Sequence, residues 1–224
     1  MPYPILYSYR QCPYAMRARL ALAVANIDYE LREISLQDKP KSFLQLSPKG
    51  TVPVLCCPDG SVIDESLDIL HWVFSQHDRE RWMPLQVNLR QEMENIIGKV
   101  SKEFSPYVYR YRFFEKFPEK SQQDYLSLCT QFLYKLDKRL THSKFLLLQH
   151  PSYVDFAVLP FVYQFKLAAN EVLNFSKYPN VARWLEAFES SKLIEHVMIE
   201  APLWSDEQPQ NNILMSYHKY IHAA

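Results

Sequence analysis

The sequence predicts an α/β layered domain at the N-terminus followed by an all-helical second half. Two observations lead there. Short apolar runs alternate with helical periodicity through the first third of the chain, and a Pro58-Asp59-Gly60 turn joins two of those runs as a hairpin. From Val87 onward strand signal gives way to apolar residues at helical spacing.

Taken in order, Ile5-Leu6-Tyr7-Ser8 reads as a short buried strand, and Tyr14 to Ala25 as an alanine- and leucine-rich helix ending near Asn26. Tyr29 to Ile34 is rich in strand formers, and Lys41 to Leu46 is a brief helix after Pro40. Val52 to Cys56 and Ser61 to Ile63 flank the turn, and Ser66 to about Phe74 is again helical. The order β-α-β-α-β-β-α, with a crossover giving parallel strands and a final hairpin giving antiparallel ones, is that of a thioredoxin-like domain. The charged, irregular stretch from His77 to Gln86 marks a linker. Leu126, Cys129, Phe132, Leu133, Leu136 and Leu140 recur at helical spacing, as do Phe156 to Ala169 and Val181 to Phe188. The expected organisation is therefore residues 1–80 as the α/β domain, 87–204 as the helical domain and 205–224 as a tail with a short helix.

The whole-chain properties exclude several classes of function. With 25 basic and 25 acidic residues, no global field favours nucleic acid or an anionic membrane surface. Neither a signal-peptide pattern at the start nor an apolar run of about 20 residues occurs, so the reading is cytosolic with no membrane partner. Only three glycines are present and no phosphate-loop motif. Four cysteines, Cys12, Cys56, Cys57 and Cys129, form no C-x-x-C pair and no zinc-type cluster with histidine, so no metal is expected. Cys56, Cys57 and Cys129 lie in apolar surroundings and read as small buried hydrophobes.

Cys12 differs from these three. It follows the first strand and immediately precedes Pro13, a residue favoured at the first helical position because its missing N–H costs nothing there. That places Cys12 at a helix N-terminus, where free amides and the helix dipole favour a thiolate and should lower its pKa. Ala15 stands where a dithiol oxidoreductase would carry its resolving cysteine, so any disulfide formed at Cys12 must be resolved by an external thiol.

The strings Tyr9-Arg10-Gln11-Cys12-Pro13-Tyr14-Ala15, Lys39-Pro40, Gly50-Thr51-Val52-Pro53-Val54-Leu55 and Glu65-Ser66 resemble the glutathione transferase superfamily, most nearly its cysteine-type omega class. The second half is similar in outline only, through Ser152-Tyr153-Val154-Asp155 and Tyr178-Pro179-Asn180-Val181. The resemblance implies glutathione as co-substrate, Cys12 as the catalytic nucleophile, and a glutathione site formed by Tyr14, Lys39, Val52, Pro53, Glu65 and Ser66. Val52 would pair its backbone with the cysteinyl part of glutathione ahead of a cis Pro53. Glu65 and Ser66 would hold the γ-glutamyl ammonium and carboxylate, and Lys39 the glycine carboxylate. A homodimer is implied as well.

Tyr107 and Tyr111 read either as helix packing or as lining of the acceptor site, the helix that carries them bordering that pocket in the family. Ser152 with Asp155 fits a capping pattern and is assigned to folding. For Arg17 and Arg19 on the first helix, solvation of at least one is expected. The function implied is thiol transfer or reduction through a Cys12-glutathione mixed disulfide, acting on glutathionylated thiols or on dehydroascorbate. Rival readings are a two-domain glutaredoxin, a glutathione-conjugating transferase and a non-catalytic scaffold or stress regulator on the same fold. Ala15 argues against the first, the cysteine in place of a hydroxyl against the second, and the full set of glutathione residues against the third.

Overall fold

The computed structural model describes residues 2–77 and 82–217. It divides into two compact units, residues 1–80 together with 191–224, and residues 81–190. The linker expected from His77 to Gln86 falls partly on residues outside that description.

In the first unit the sheet order is β4-β3-β1-β2-β5. Strand β1 (Ile5–Ser8) is central, fully buried and parallel to β2 (Tyr29–Glu33), with Leu6 opposite Leu31. On its other side β1 runs antiparallel to β3 (Val54–Cys56), which pairs in turn with the short β4 (Val62–Ile63) across the Pro58-Asp59-Gly60 turn. Gly60 has φ of +89°, a conformation that favours glycine at such a turn. Helices α1 (Pro13–Val24) and α2 (Lys41–Leu46) connect β1 to β2 and β2 to β3, and α3 (Ser66–Gln76) follows β4. Every residue of α1 from Ala15 to Ala23 is buried, which fits a helix that is apolar almost all round.

Inside the second unit, α4 (Val87–Lys99), a π-helical turn at Val100–Phe104 and α5 (Ser105–Arg112) follow one another without a break. Pro106 lacks the N–H that would continue an α-helical ladder, and the π turn just ahead of it absorbs the shift, with Ser105 N donating to the Val100 carbonyl. Helices α6 (Gln122–Arg139), α7 (Tyr153–Ala168) and α8 (Pro179–Glu189) complete this unit. Its core holds Phe104 stacked on Phe132 at 4.5 Å between ring centroids and a fully buried Trp184. A thioredoxin-like α/β unit and a helical unit are thus both present.

The assignment of Ser152 and Asp155 to folding holds. Asp155, wholly buried, accepts from Ser152 N at 2.8 Å, Ser152 Oγ at 2.7 Å, Leu146 N at 2.9 Å and Trp184 Nε1 at 2.9 Å. One carboxylate thereby joins the start of α7, the loop before it and α8.

The C-terminal stretch departs from expectation. Residues from 191 onward group with the first unit, beginning with α9 (Leu193–Val197), whereas the sequence placed everything to 204 in the helical domain. The tail 205–224, expected to carry a short helix, is described only to residue 217, and that part holds strand β5 (Ile213–Met215), antiparallel to β2 with Leu31 opposite Ile213 and Tyr29 opposite Met215. The outer edge of β2 offers a row of backbone donors and acceptors, and three apolar residues satisfy them better as a strand than as less than one helical turn. Among the described residues, no helix is long and apolar enough to cross a membrane.

Candidate active site

Cys12 is the N-cap of α1, with Pro13 at the first helical position, and its carbonyl accepts the first helical bond from Met16 N at 2.9 Å. The thiol is half-buried against a cluster of Ile5, Tyr7, Ala15, Val52 and Val54. Its Sγ lies 3.8 Å from the carbonyl oxygen of Val52, to which it donates. The Val52-Pro53 bond is cis, as the family resemblance implied. Cys12 and Val52 are thus brought together from 40 positions apart.

The expected fall in the pKa of Cys12 is overturned. Burial pushes the thiol up from its ordinary value, and that cost outweighs the pull of the Ala15 and Tyr14 amides and of the Arg17 and Arg19 charges. Both sets of forces follow from one placement, since the amides that favour a thiolate sit where the apolar cluster disfavours it. Burial pushes up the thiols of Cys56, Cys57 and Cys129 too, that of Cys129 to about 12. Those three are buried, leaving Cys12 the most accessible of the four free cysteines.

Arg17 and Arg19 correct a second expectation, because both are buried. Arg17 Nη1 donates to Ser66 Oγ at 3.0 Å, and its guanidinium stands 5.7 Å from the Tyr14 ring. Arg19 donates to Ser8 Oγ at 2.8 Å and to the Val197 carbonyl at 3.0 Å, and forms an ion pair with Glu33. Glu33 also accepts from the backbone N–H of Arg10, in the turn that leads into Cys12. The Arg19 charge is tolerated inside because it is paired with Glu33 and hydrogen-bonded, and Arg17 is hydrogen-bonded to Ser66.

Ser66 is buried at the first position of α3, while Glu65, not Ser66, is the N-cap and has an exposed carboxylate. Lys49, a residue the sequence reading passed over, sets its ammonium 2.8 Å from Glu65 and 3.0 Å from Asp64. The adjacent acidic pair Asp64-Glu65 was the available signal, but its partner lies 15 and 16 positions away and no local periodicity links them. Lys39 is half-buried beside Gly50. A Cβ built on that glycine would stand 3.4 Å from the Lys39 Nζ, and the glycine φ of +60° is one that side-chain-bearing residues rarely adopt. Tyr14, Cys12, Val52, Pro53, Ser66, Glu65 and Lys39 all belong to the first unit.

Tyr107 and Tyr111 belong to the second unit. Tyr111 is buried with its ring 5.8 Å from Phe165. Tyr107 is half-buried on α5.

The family model for the glutathione S-transferase N-terminal domain matches residues 6–81, and that for the C-terminal domain matches residues 122–187. The chain belongs to the glutathione S-transferase superfamily. A probable maleylacetoacetate isomerase of Caenorhabditis elegans is 29% identical over 192 residues, covering 80% of this chain and 86% of the relative. Glutathione S-transferase omega-1 of Sus scrofa is 24% identical over 198 residues, covering 87% and 80%. In fold, a glutathione transferase family member from Pseudomonas fluorescens with two glutathione bound matches at a TM-score of 0.76 and 19% identity, covering 88% of this chain and 92% of that one.

Proposed function

We propose that the protein is a glutathione-dependent thiol transferase in which Cys12 forms a mixed disulfide with glutathione. The observation that carries this reading is the half-buried Cys12 thiol at the start of α1, 3.8 Å from the Val52 carbonyl at the cis Val52-Pro53 bond. A peptide-like ligand laid along the Val52 backbone would bring its own sulfur to that thiol.

Cys12 loses its proton and attacks the glutathione sulfur of a mixed disulfide. A sulfur–sulfur bond forms between Cys12 and glutathione, the acceptor's bond breaks, and the acceptor thiolate leaves and takes up a proton. A second glutathione, as thiolate, then attacks the glutathione sulfur of the adduct, releasing glutathione disulfide and the Cys12 thiolate. Reduction of dehydroascorbate would consume two free glutathiones: the first joins Cys12 as a mixed disulfide while dehydroascorbate takes up two electrons and two protons, and the second releases glutathione disulfide and Cys12. Glu65, Ser66 and Lys39 would hold the ends of the tripeptide and Tyr14 would flank it. Tyr107 and Tyr111 are the candidates on the acceptor side, and a homodimer is part of the same proposal.

Conjugation of electrophiles is the less favoured chemistry. It calls for a hydroxyl beside the glutathione thiolate, yet Tyr7 is buried with its hydroxyl accepting from Arg32 at 2.7 Å. Ser8 is buried and accepts from Arg19. The decisive experiment is a coupled assay of thiol transfer from a small glutathione mixed disulfide, with native protein and Cys12→Ala side by side. Turnover by the native protein and none by the variant supports the proposal, whereas equal turnover by both removes Cys12 from the mechanism.

A further inference from the structure

Helix α2 starts with a deficit. Pro40 stands at its N-cap and has no side chain able to accept a hydrogen bond, so the first amides of the helix lack a local partner. The missing acceptor comes from the far end of the chain. The carboxylate of Asp206, 164 positions away, accepts from Ser42 N at 3.2 Å and from the Ser42 hydroxyl in a shorter bond. These bonds, with help from the Lys41 amide and charge, hold the Asp206 carboxyl below the usual range.

The segment that carries Asp206 is itself tied to the sheet. Trp204 N donates to the Glu33 carbonyl at 2.6 Å. The buried Trp204 ring packs edge-on to Tyr7 at 5.5 Å and lies under the Arg32 guanidinium at 4.5 Å. Strand β5 then continues along β2. Trp204 also enters the apolar cluster against which Cys12 packs. Residues 203–215 thus form a strap that crosses the sheet edge and reaches α2 through one carboxylate.

Helix α2 begins directly after Lys39-Pro40, and a Cβ built on Gly50 would meet Leu44 of the helix at 3.0 Å and Lys39 before it at 3.4 Å. We propose that Asp206 is a positioning residue that fixes α2, and through it Lys39, so that the C-terminal strap sets affinity for the glycyl end of glutathione. This rests on the glutathione site proposed above. The strap acts on one end of the ligand only, because Glu65 and Ser66 belong to α3 and make no hydrogen bond to Asp206 among those the structure gives.

The test compares glutathione with γ-glutamylcysteine, which lacks the glycyl carboxylate, by calorimetric titration of the full chain. For Asp206→Ala the dissociation constant for glutathione should rise about fivefold, equivalent to about 1 kcal/mol, while that for γ-glutamylcysteine stays at the native value. Asp206→Asn, which retains an acceptor, should recover part of the loss. Ser42→Ala, which removes the hydroxyl bond but keeps the amide bond to Asp206, should reproduce part of the loss, and the double variant should be no worse than Asp206→Ala alone. Ser42→Ala leaves the strap in place and decides the matter if Asp206→Ala does not fold. Equal weakening of both ligands, or none of either, overturns the positioning role. Failure of the native protein to bind glutathione or γ-glutamylcysteine overturns instead the site on which it rests.

Discussion

The thiol of Cys12 donates to the backbone carbonyl of Val52 across 3.8 Å, so the end of the first helix and the residue before the cis proline share one contact. That contact orders the chemistry that follows. A ligand aligned on the Val52 backbone competes for the same carbonyl, and the thiol must lose its proton to act.

Selectivity among the cysteines is the first consequence. After incubation with oxidised glutathione at neutral pH, peptide mapping should find one glutathione, on Cys12. The other three thiols are buried, whereas that of Cys12 is half-buried and within reach of an incoming disulfide. An adduct chiefly on Cys56, Cys57 or Cys129 would falsify the assignment.

The pH profile should be alkaline. Burial raises the Cys12 pKa, so the fraction of thiolate in the free protein is still rising above the ordinary cysteine value. For thiol transfer, kcat/KM is therefore expected to climb with pH beyond about 8.5. A plateau already reached at pH 6 would mean that the helix terminus and the two arginines overcome burial.

Charges around Glu65 should act on affinity. Glu65→Ala is expected to raise KM for glutathione more than it lowers kcat, since the contact is remote from sulfur. Lys49 pairs with that carboxylate and would compete with the ligand's ammonium for it, so Lys49→Met should lower KM. The effect should stay within about fivefold because the pair is exposed. Steady-state kinetics at low ionic strength checks both, and a KM unmoved by Glu65→Ala removes that residue from the site.

For the helical unit, Asp155→Ala should be among the most damaging single changes. It strands the Leu146 amide, the Trp184 indole and both donors of Ser152 in a dry interior. A loss of roughly 3 kcal/mol or more is expected on chemical unfolding. A loss below about 1 kcal/mol would show that water replaces the carboxylate.

Acid should weaken the first unit through His196. Burial, and secondarily the charge of Arg19, lowers its folded pKa. The unfolded chain therefore takes up a proton before the folded one does, and this part of the stability is lost as pH falls below about 6.5. Melting temperatures of native protein and His196→Gln should converge as the pH is lowered from 7 to about 5. Parallel curves would assign the acid sensitivity elsewhere.

The sequence by itself determined the order of elements to Gln76, the position of Cys12 at a helix start, the helical second half and the folding role of Asp155. Each of these is written in local signals: apolar periodicity, Pro13 after a strand, a Pro-Asp-Gly turn and an S-x-x-D cap. Tertiary structure decided what depends on residues far apart in the chain. Arg17 and Arg19 look like solvated helix charges until Ser66, Ser8, Glu33 and Val197 close around them. The Cys12 pKa follows the helix terminus in sequence but the apolar cluster in space, and burial outweighs the amides. The tail turned out to be a strand and a strap because the open edge of β2 and the uncapped start of α2 lie within its reach. Backbone groups left unsatisfied by local structure recruit partners from anywhere in the chain, and such partners have no period to betray them.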